Sequence, residues 1–388
     1  MITLNKFLGI NNVLPEHRIK DAELAVATDV NIGHSGELSR REGYTKTSSV
    51  SHRYLHEGAG FTLAVRGGDL VKTTGAVQTL LQASVGAGRM WYCNLPDGRT
   101  TFSNGLIHGI TDGSTTTGWG IPLPPSIGVL TDVAGQLHPG DYQYAITYVR
   151  ISDGLEGGPS YSNPLPVPDG GILLTGLPVE AGYRINVYLS SVDGGQMFYA
   201  GNTLNDAFSY LGKNDALTMP CRTDFLHPMP VGTVTAYWRG RTLVAQGGVL
   251  WASELHRPEL CNMRRSFKQF TAPITLIQPV EDGIYIGTED ELAFLTGVEF
   301  ETLTYAQKVQ GRVVLGSGVA VEGEKIKRGD GVGQGQAMIC IADHLLVAGF
   351  HGGEVLRMTE SSYSTAATEV AATLRMVGEI PQYVAIPL

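Results

Sequence analysis

Residues 243–254 read LVAQGGVLWASE and residues 284–297 read IYIGTEDELAFLTG, and in each stretch two short apolar strand patterns flank a turn. Three further stretches follow the same plan: LAVRGGDLVKT at 63–73, TFSNGLIHGIT at 101–111 and LLVAGFHGGEVLRMT at 345–359. Several of these turns contain glycine, which supplies the positive φ that a tight hairpin needs. Neighbouring copies begin roughly 40 residues apart, which is the length of one four-stranded propeller blade. The repetition therefore predicts an all-β chain with a β-propeller-like body.

Two intervals depart from this period. About 140 residues separate the starts of the second and third copies, and about 60 separate those of the fourth and fifth. Removing one blade from the larger interval leaves roughly 100 residues, the size of a small β-sandwich domain. We attribute the smaller excess to the polar, Gly-rich segment GEKIKRGDGVGQGQ at 323–336. A loop of that length is normally functional or mobile.

The large interval contains longer β-branched and aromatic alternation. In YQYAITYV, the side chains of Tyr142, Tyr144, Ile146 and Tyr148 alternate with those of the other residues, so they share one face of a strand. Pro-rich stretches, IPLPPS before and LHPMP after, are typical of semi-rigid joints between modules. The predicted organisation is an extended N-terminal arm at 1–45, the first part of the propeller at 46–124, a small β-sandwich insert at 125–215 and the remainder of the propeller at 216–388.

Composition fits this class and narrows the function. The chain has 388 residues, of which 43% are hydrophobic and 17% charged, with 50 Gly and 19 Pro, as expected for a turn-rich globular protein. Its net charge of −9 argues against nucleic-acid binding through a broad basic surface. The same charge is compatible with a channel wall along which DNA moves without being bound. The few basic clusters are expected to be solvated turns or subunit contacts.

The cysteines and the N-terminus indicate where the chain is made. Its four cysteines are widely spaced without a CxxC motif, so buried free thiols are expected rather than a zinc site or a disulfide framework. The N-terminus lacks the apolar core of a signal peptide, and no apolar run reaches the length of a membrane span. We therefore expect synthesis in the cytosol and no membrane span.

Candidate chemical motifs are weak. The Gly-rich run at 329–335 precedes a strand pattern rather than a helix, which favours a flexible loop over a phosphate site. SVDGGQMF at 191–198 approaches the Asp-box of sialidase-type propellers, with Phe198 where tryptophan belongs. His52 and His56 have the i, i+4 spacing of a metal-binding pair on a helix, but they lie in a strand-like pattern, which favours a structural role. The acidic residues at 281–291 are expected to be solvated turn residues rather than a Ca²⁺ site. We expect no catalytic residue, metal or cofactor.

The opening segment and two later ones resemble virion structural proteins of tailed bacteriophages, especially the tail nozzle or tail tube proteins of short-tailed, podovirus-type phages. The likeness lies in FLGINNVLPEHRI at 7–19, in AVATDVNIGHSGELSRREGYTK at 25–46, in GDYQYAITYVRISDGLEGGPS at 140–160 and in WRGRTLVAQGGVLWASELHRPEL at 238–260. It covers most of the chain, and it implies that the insert at 125–215 is fibronectin- or immunoglobulin-like.

This resemblance implies a β-propeller subunit of a sixfold ring beneath the head-to-tail connector, with a channel for the genome and binding sites for fibres or spikes. We therefore expect a structural protein of the virion tail, made in the host cytoplasm, that forms a homohexamer through which double-stranded DNA passes non-specifically. The arm is expected to dock on a neighbouring subunit or on the connector. Its candidate interface residues are Phe7, Leu8, Gly9, Ile10, Arg40 and Arg41.

The Gly-rich segment at 323–336 is the candidate channel constriction, because it is long and carries few bulky apolar residues. Its candidate residues are Lys325, Lys327, Arg328, Asp330 and Gln334. Two other classes remain open. One is a glycan-active propeller enzyme of the sialidase or depolymerase type with an appended binding module, which needs paired carboxylates near its axis. The other is a virion adhesin that carries the insert as its binding module.

Overall fold

The computed structural model describes residues 6–33, 35–41, 43–46, 48–75, 77–328, 331–377 and 380–388. In these ranges every regular element longer than three residues is a β-strand, which confirms the predicted all-β class. The other regular elements there are short 3₁₀ helices at Glu16–Arg18, Asn214–Ala216, Phe300–Thr302, Gly323–Lys325 and His351–Gly353. No helix of the described ranges has the length and apolar character that crossing a bilayer requires.

The N-terminal segment forms two small strand pairs. Strands β1 (Gly9–Ile10) and β2 (Glu23–Leu24) are parallel, and β3 (Val30–Ile32) and β4 (Leu38–Arg40) are antiparallel. The Asn12 side chain makes two hydrogen bonds with the backbone of Ser364, both at 2.8 Å: Nδ2 donates to the Ser364 carbonyl, and Oδ1 accepts from the Ser364 N–H. These bonds connect the N-terminal segment to the C-terminal part of the chain.

Sheets I and II are four-stranded antiparallel meanders. Sheet I consists of β5 (Arg53–Glu57), β6 (Thr62–Arg66), β7 (Asp69–Thr74) and β8 (Val77–Gln82). Sheet II consists of β9 (Trp91–Asn94), β10 (Thr100–Ser103), β11 (His108–Thr111) and β12 (Thr116–Thr117). Gly67 and Gly68, in the turn between β6 and β7, have φ values of 60° and 90°, which explains the two glycines at this tight turn.

The strands between 129 and 210 form three further sheets on a shared core. The strands are β13 (Val129–Ala134), β14 (Gly140–Tyr142), β15 (Tyr144–Arg150), β16 (Glu156–Tyr161), β17 (Leu165–Val167), β18 (Gly170–Thr175), β19 (Tyr183–Ser190), β20 (Met197–Thr203) and β21 (Ala207–Tyr210). One sheet has the order β13-β18-β21, the second β14-β17 and the third β16-β15-β19-β20. Their core includes the aromatic side chains of Tyr142, Tyr144 and Tyr148, which fall on one face as the alternation predicts. We call residues 125–215 the insert; its boundaries stay a prediction.

Sheets III and IV repeat the meander. The strands that follow the insert are β22 (Leu226–Pro228), β23 (Thr233–Trp238), β24 (Arg241–Gln246), β25 (Val249–Ala252), β26 (Leu260–Asn262), β27 (Phe267–Gln269), β28 (Ile274–Val280), β29 (Gly283–Thr288), β30 (Glu291–Thr296) and β31 (Thr304–Gln310). Sheet III has the order β23-β24-β25-β27 and sheet IV the order β28-β29-β30-β31. Strands β22 and β26 pair separately, beside sheet III.

Sheet V and a C-terminal hairpin complete the chain. The strands are β32 (Val319–Glu322), β33 (Lys327–Arg328), β34 (Gly331–Val332), β35 (Gln336–Ala342), β36 (Leu345–Phe350), β37 (Val355–Arg357), β38 (Val370–Val377) and β39 (Ile380–Pro387). Sheet V has the order β32-β35-β36-β37, whereas β38 pairs only with β39. The segment at 323–335 separates the first two strands of sheet V. The fifth sequence repeat also lies on the third and fourth strands of its sheet, while the other four lie on the second and third.

Buried apolar clusters join these units in the order of the chain. Each of five such clusters contains side chains from two consecutive units. One pair of residues represents each cluster: Leu63 and Phe102 join sheets I and II, Ile110 and Val244 join sheets II and III, and Leu243 and Ile284 join sheets III and IV. Tyr285 and Met338 join sheets IV and V, and Ile341 and Val370 join sheet V to the hairpin. Among the described residues, no such cluster joins the hairpin to sheet I.

Candidate functional site

Residues from several sheets line one cavity of about 970 Å³, which we call the central cavity. Sheets I to IV contribute residues near the start of their first strands, the segment before sheet V contributes Gly316 and Gly318, and the C-terminal hairpin contributes both of its strands. The lining comes from residues 52–56, 89–92, 234–235, 275–278 and 371–373, with Glu369, Ile386 and Leu388. This volume falls in the range typical of ligand sites.

Three of the lining strands carry a β-bulge where they face the cavity. The ladder slips between Arg53 and His56 in β5, and comparable slips interrupt β23 and β28. Tyr54 and Val234, within two of these bulges, have φ values of 53° and 41°. Positive φ is unfavourable for a β-branched residue such as valine, and strained backbone of this kind concentrates at functional positions. The bulges turn Tyr54 and Val234 toward the cavity wall.

Arg89, in the segment that precedes sheet II, bonds to the start of the C-terminal hairpin. Its Nη1 lies 3.0 Å from Glu369 Oε1 and donates to the Val370 carbonyl at 2.8 Å. The guanidinium also stacks over the Trp91 ring, 4.5 Å from its centroid. A Cβ at position 316 would overlap the guanidinium, so Gly316 is required for this close approach. Arg89 thereby connects the entry to sheet II with the start of the C-terminal hairpin.

Burial keeps two polar side chains of the lining, those of His56 and Tyr92, uncharged. The His56 and Tyr92 rings stack with centroids 4.8 Å apart, and His56 Nε2 bonds Asn94 Oδ1 at 2.8 Å. Burial lowers the pKa of His56 and raises that of Tyr92, so both side chains are uncharged at neutral pH. The buried hydroxyls of Tyr92 and Thr235 have no hydrogen-bond partner among the described residues. These hydroxyls are free to bond a water molecule or a ligand.

Among the described residues that line the cavity, one acidic side chain occurs, that of Glu369, and it is paired with Arg89. Hydrolysis of a glycosidic bond by the common mechanisms needs two carboxyl groups on either side of the bond. In the described ranges, no group of three or more His, Cys, Asp or Glu side chains has a geometry that could hold a metal ion.

A buried ion network attaches the insert to the body. Glu259, only 3% exposed, accepts from Arg150 of the insert at 2.9 and 3.0 Å and from Arg99 of sheet II at 2.7 Å. Arg150 also binds Asp153, with Nη2 and Oδ2 2.6 Å apart. The Asp153 pKa is lowered, chiefly by this hydrogen bond from Arg150. Sheet II, the insert and the segment before β26 thus meet at one carboxylate.

Close backbone packing supports the same attachment. A Cβ at Gly158 in β16 would overlap the Leu226 carbonyl in β22, so only glycine fits there. Trp119, just before the insert, is fully buried and donates its indole N–H to the Pro258 carbonyl at 2.8 Å. The insert is therefore fixed to the body by both charge and shape.

The structure places the predicted interface residues of the arm in its two small strand pairs. Phe7 N donates to the Gly36 carbonyl at 2.8 Å and Leu8 N to the Ala22 carbonyl at 2.7 Å. Gly9 and Ile10 form β1, Arg40 ends β4, and Arg41 N donates to Asp29 at 2.9 Å. Leu8 is 60% exposed, and both arginines are exposed. Their role in an interface stays a prediction.

The predicted channel loop lies away from the central cavity. Lys325 pairs with Glu322 at 2.8 Å, Gln334 is exposed, and the loop packs near Glu281, at the turn between β28 and β29. None of the described residues at 323–336 lines the cavity. Asp330 and the side chains of Lys327 and Arg328 lie outside the described residues. A role of this loop as a constriction in an assembled ring stays a prediction.

Sequence reasoning missed the residues that organise both sites, namely Arg89, Glu369, Arg150 and Glu259. One local signal was available: Arg150 directly continues the apolar strand YAITYV, where a charged residue needs a buried partner. The partner itself lies 109 positions away.

No family model and no curated protein sequence matches the chain. Among solved structures, it is similar to BamB from Moraxella catarrhalis at 12% identity and a TM-score of 0.30, over 90% of this chain and 87% of that one. It is similar to BBS1N in complex with ARL6DN at 11% identity and a TM-score of 0.33, over 88% and 91%. It is also similar to the computationally designed Ika8 protein at 10% identity and a TM-score of 0.28, over 89% and 100%. At such low TM-scores these likenesses carry no argument about fold or function.

Proposed function

We propose that this chain is a structural subunit of a bacteriophage tail, of the nozzle or tail-tube kind. It forms a ring in the virion tail that retains packaged DNA and conducts it during ejection. In this proposal the five sheets and the C-terminal hairpin close around the central cavity as a β-propeller, and the insert is a fibronectin- or immunoglobulin-like sandwich. Its partners are further copies of itself in a homohexamer, the head-to-tail connector, and fibres or spikes.

The observation that carries the proposal is the rigid attachment of the insert. Glu259 binds two arginines from different modules, and Gly158 leaves no space between the insert and β22. Modules fixed in this way transmit force as one body, which suits a load-bearing ring. An enzyme that closes around its substrate more often needs a mobile joint between its modules.

Sequence resemblance supports the same role. The segments at 140–160 and 238–260 that resemble tail proteins supply Arg150 and Glu259, the two sides of the attachment. The net charge of −9 fits a conduit that does not retain DNA through its phosphates.

Imaging of the purified full-length chain tests the proposal. We expect negative-stain class averages of the chain, alone or mixed with a candidate connector protein, to show a ring with an axial hole, with a mass by light scattering that matches its symmetry. A chain that forms no ring under either condition contradicts the proposal.

The glycan-active alternative has one observation in its favour, the aromatic side chains of Tyr54, Trp91 and Tyr92 in the lining of the central cavity. The single, ion-paired carboxylate of that lining weighs against it, because the paired acid and base are missing there. Release of reducing sugar from host surface polysaccharide by the purified chain, abolished by Glu369→Gln, would favour the enzyme over the structural role.

A further inference from the structure

Apolar side chains form much of the wall of the central cavity. Leu55 of β5 and Ile386 of β39 both line it, and they are 66% and 60% exposed. Further apolar lining residues are buried, namely Met90, Val234, Leu276 and Ile277. Exposed apolar surface that gathers at a concave site is typical of a ligand-binding groove. The cavity is therefore suited to a ligand with an apolar body.

The two faces of β5 have different surroundings. Tyr54 packs against the apolar cluster of sheets I and II, and His56 stacks on Tyr92 of sheet II. Arg53 and Leu55 alternate with these residues along the strand and are exposed. Because Arg53 and Leu55 also line the cavity, β5 contributes a cation and an apolar side chain to the same part of the wall.

Arg53 supplies a positive charge that has no partner in the protein. Within the described ranges, its side chain makes no hydrogen bond or ion pair. Arg89 and Glu369, which also line the cavity, neutralise each other at 3.0 Å. Apart from its histidines, the described lining thus carries one uncompensated positive charge, in a chain whose net charge is −9. A guanidinium group binds a carboxylate through two parallel hydrogen bonds, so the wall favours an anionic ligand.

Backbone strain occurs in the same wall. Tyr54, next to Arg53, and Val234 both have positive φ. This conformation is unfavourable for aromatic and β-branched residues, and it persists at sites where the surrounding structure holds it for a function. The bulge in β5 lies between Arg53 and His56, so the strain occurs where the charged and the uncharged polar side chains of the wall meet.

We propose that the central cavity binds an amphiphilic organic carboxylate. The carboxylate pairs with the guanidinium of Arg53, and the apolar body lies against Leu55, Ile386 and the buried apolar residues of the wall. A cation of the same shape is repelled by Arg53, and the one acidic side chain of the described lining is already paired with Arg89. This inference goes beyond the proposed function and does not depend on the formation of a ring.

Isothermal titration calorimetry of the full-length chain at neutral pH tests it. The probes are octanoate, octanol and octyltrimethylammonium, which share one apolar chain and differ in the charge of the head group; all are used below the concentrations at which they form micelles. We expect octanoate to saturate one site and to bind about tenfold more tightly than octanol, because of its charged hydrogen bonds with Arg53. Octyltrimethylammonium should bind more weakly than octanol.

Two variants separate the head group from the apolar body. Arg53→Gln should weaken octanoate binding about tenfold and leave octanol binding unchanged, since it removes the charge alone. Leu55→Ser should weaken the binding of both probes about threefold or more, since it removes apolar contact area. Both positions are exposed, so we expect the fold to be kept, which circular dichroism checks. Arg184→Gln and Leu204→Ser, on exposed residues of the insert, are the matched controls and should bind like the wild type.

The other outcomes overturn the proposal. A wild type that does not bind octanoate, or that binds it at many equivalent sites, has no such site. Octanol or octyltrimethylammonium that binds as tightly as octanoate indicates a cavity without preference for a carboxylate. Unchanged octanoate binding in Arg53→Gln or in Leu55→Ser shows that the ligand lies elsewhere. Each of these results leaves the proposed ring untouched, because ring formation is measured separately by imaging.

Discussion

Arg150 and Glu259 face each other through two hydrogen bonds, with Nη1 2.9 Å from Oε2 and Nη2 3.0 Å from Oε1. Arg150 ends the central strand of the insert, whereas Glu259 precedes β26 in the body. Both side chains are almost fully buried, with 9% and 3% of their surface exposed. A pair so well shielded from water behaves differently from the ion pairs at the surface of the chain.

Replacing Arg150 with methionine should destabilise the chain strongly. The substitution keeps the aliphatic stem and leaves Glu259 paired with Arg99. Removing one partner of a buried pair costs about 3–5 kcal/mol when the other charge is left uncompensated, and the Arg99 contact keeps the cost near the lower end of that range. We expect the free energy of unfolding in urea to fall by roughly that amount, and limited proteolysis to cut sooner in the segments that flank the insert.

The exposed pair of Arg312 and Glu289 provides the matched control. Its 2.9 Å contact is as short, but 47% and 45% of these side chains is exposed. Arg312→Met should change the free energy of unfolding by less than about 1 kcal/mol. Equal effects of the two methionine substitutions would show that the buried network does not hold the insert.

Gly158→Ala tests the close packing of the insert on β22. The added methyl group would overlap the Leu226 carbonyl, and backbone on both sides limits relaxation. Overpacking of this kind costs about 1–3 kcal/mol. Gly195→Ala, in the same insert, meets no atom within 4 Å and should change stability by less than about 0.5 kcal/mol. Thermal unfolding of both variants checks the difference; a Gly158→Ala variant as stable as Gly195→Ala contradicts this packing.

The sheets were predictable because their hairpins are local. A pattern such as LVAQGGVLWASE contains both strands and the turn between them, so period and turn chemistry suffice to find it. The fifth repeat shows the limit of this reasoning. Its motif lies one strand later in its sheet than the other four, because the turn between β35 and β36 is formed by Asp343 and His344, with φ values of 49° and 68°, and contains no glycine.

The site residues were not predictable because their partners are distant in sequence. Arg89 and Glu369 are 280 positions apart, and neither lies in a motif. Such pairs depend on contacts between units that are distant in the chain, which hydrophobic periodicity does not describe. The positive φ of Tyr54 and Val234 is equally hidden, since neither residue type favours that conformation.

Arg89→Met should loosen the C-terminal hairpin without unfolding the sheets. The substitution removes the ion pair with Glu369 and the hydrogen bond to the Val370 carbonyl, which fix the start of β38. We expect amide hydrogen exchange to accelerate at least about tenfold across β38 and β39, while β29 and β30 keep their protection. Arg375→Met is the control, because Arg375 is exposed and its hydrogen bonds within the described ranges go to Gln382 and Asn31, not to the start of β38. Unchanged exchange in Arg89→Met would show that the apolar contacts with sheet V alone hold the hairpin.

Three partly buried histidines predict a loss of stability in mildly acidic solution. Burial lowers the pKa of His56, His108 and His227 below the ordinary value of 6.5, so the unfolded chain binds protons at a higher pH than the folded one. Their contribution to stability is complete above pH 6.5 and is lost as the pH falls toward the folded-state pKa values. Carboxylates with a lowered pKa, such as Asp153, change their protonation only below about pH 4, so they do not affect the stability change assigned to the histidines. We expect the urea concentration at the midpoint of unfolding to decrease as the pH is lowered from about 7 to about 5. His108→Asn should flatten part of this slope, because it removes one of the three protonation sites; a wild-type midpoint that stays constant over the range would contradict the buried, neutral state of these rings.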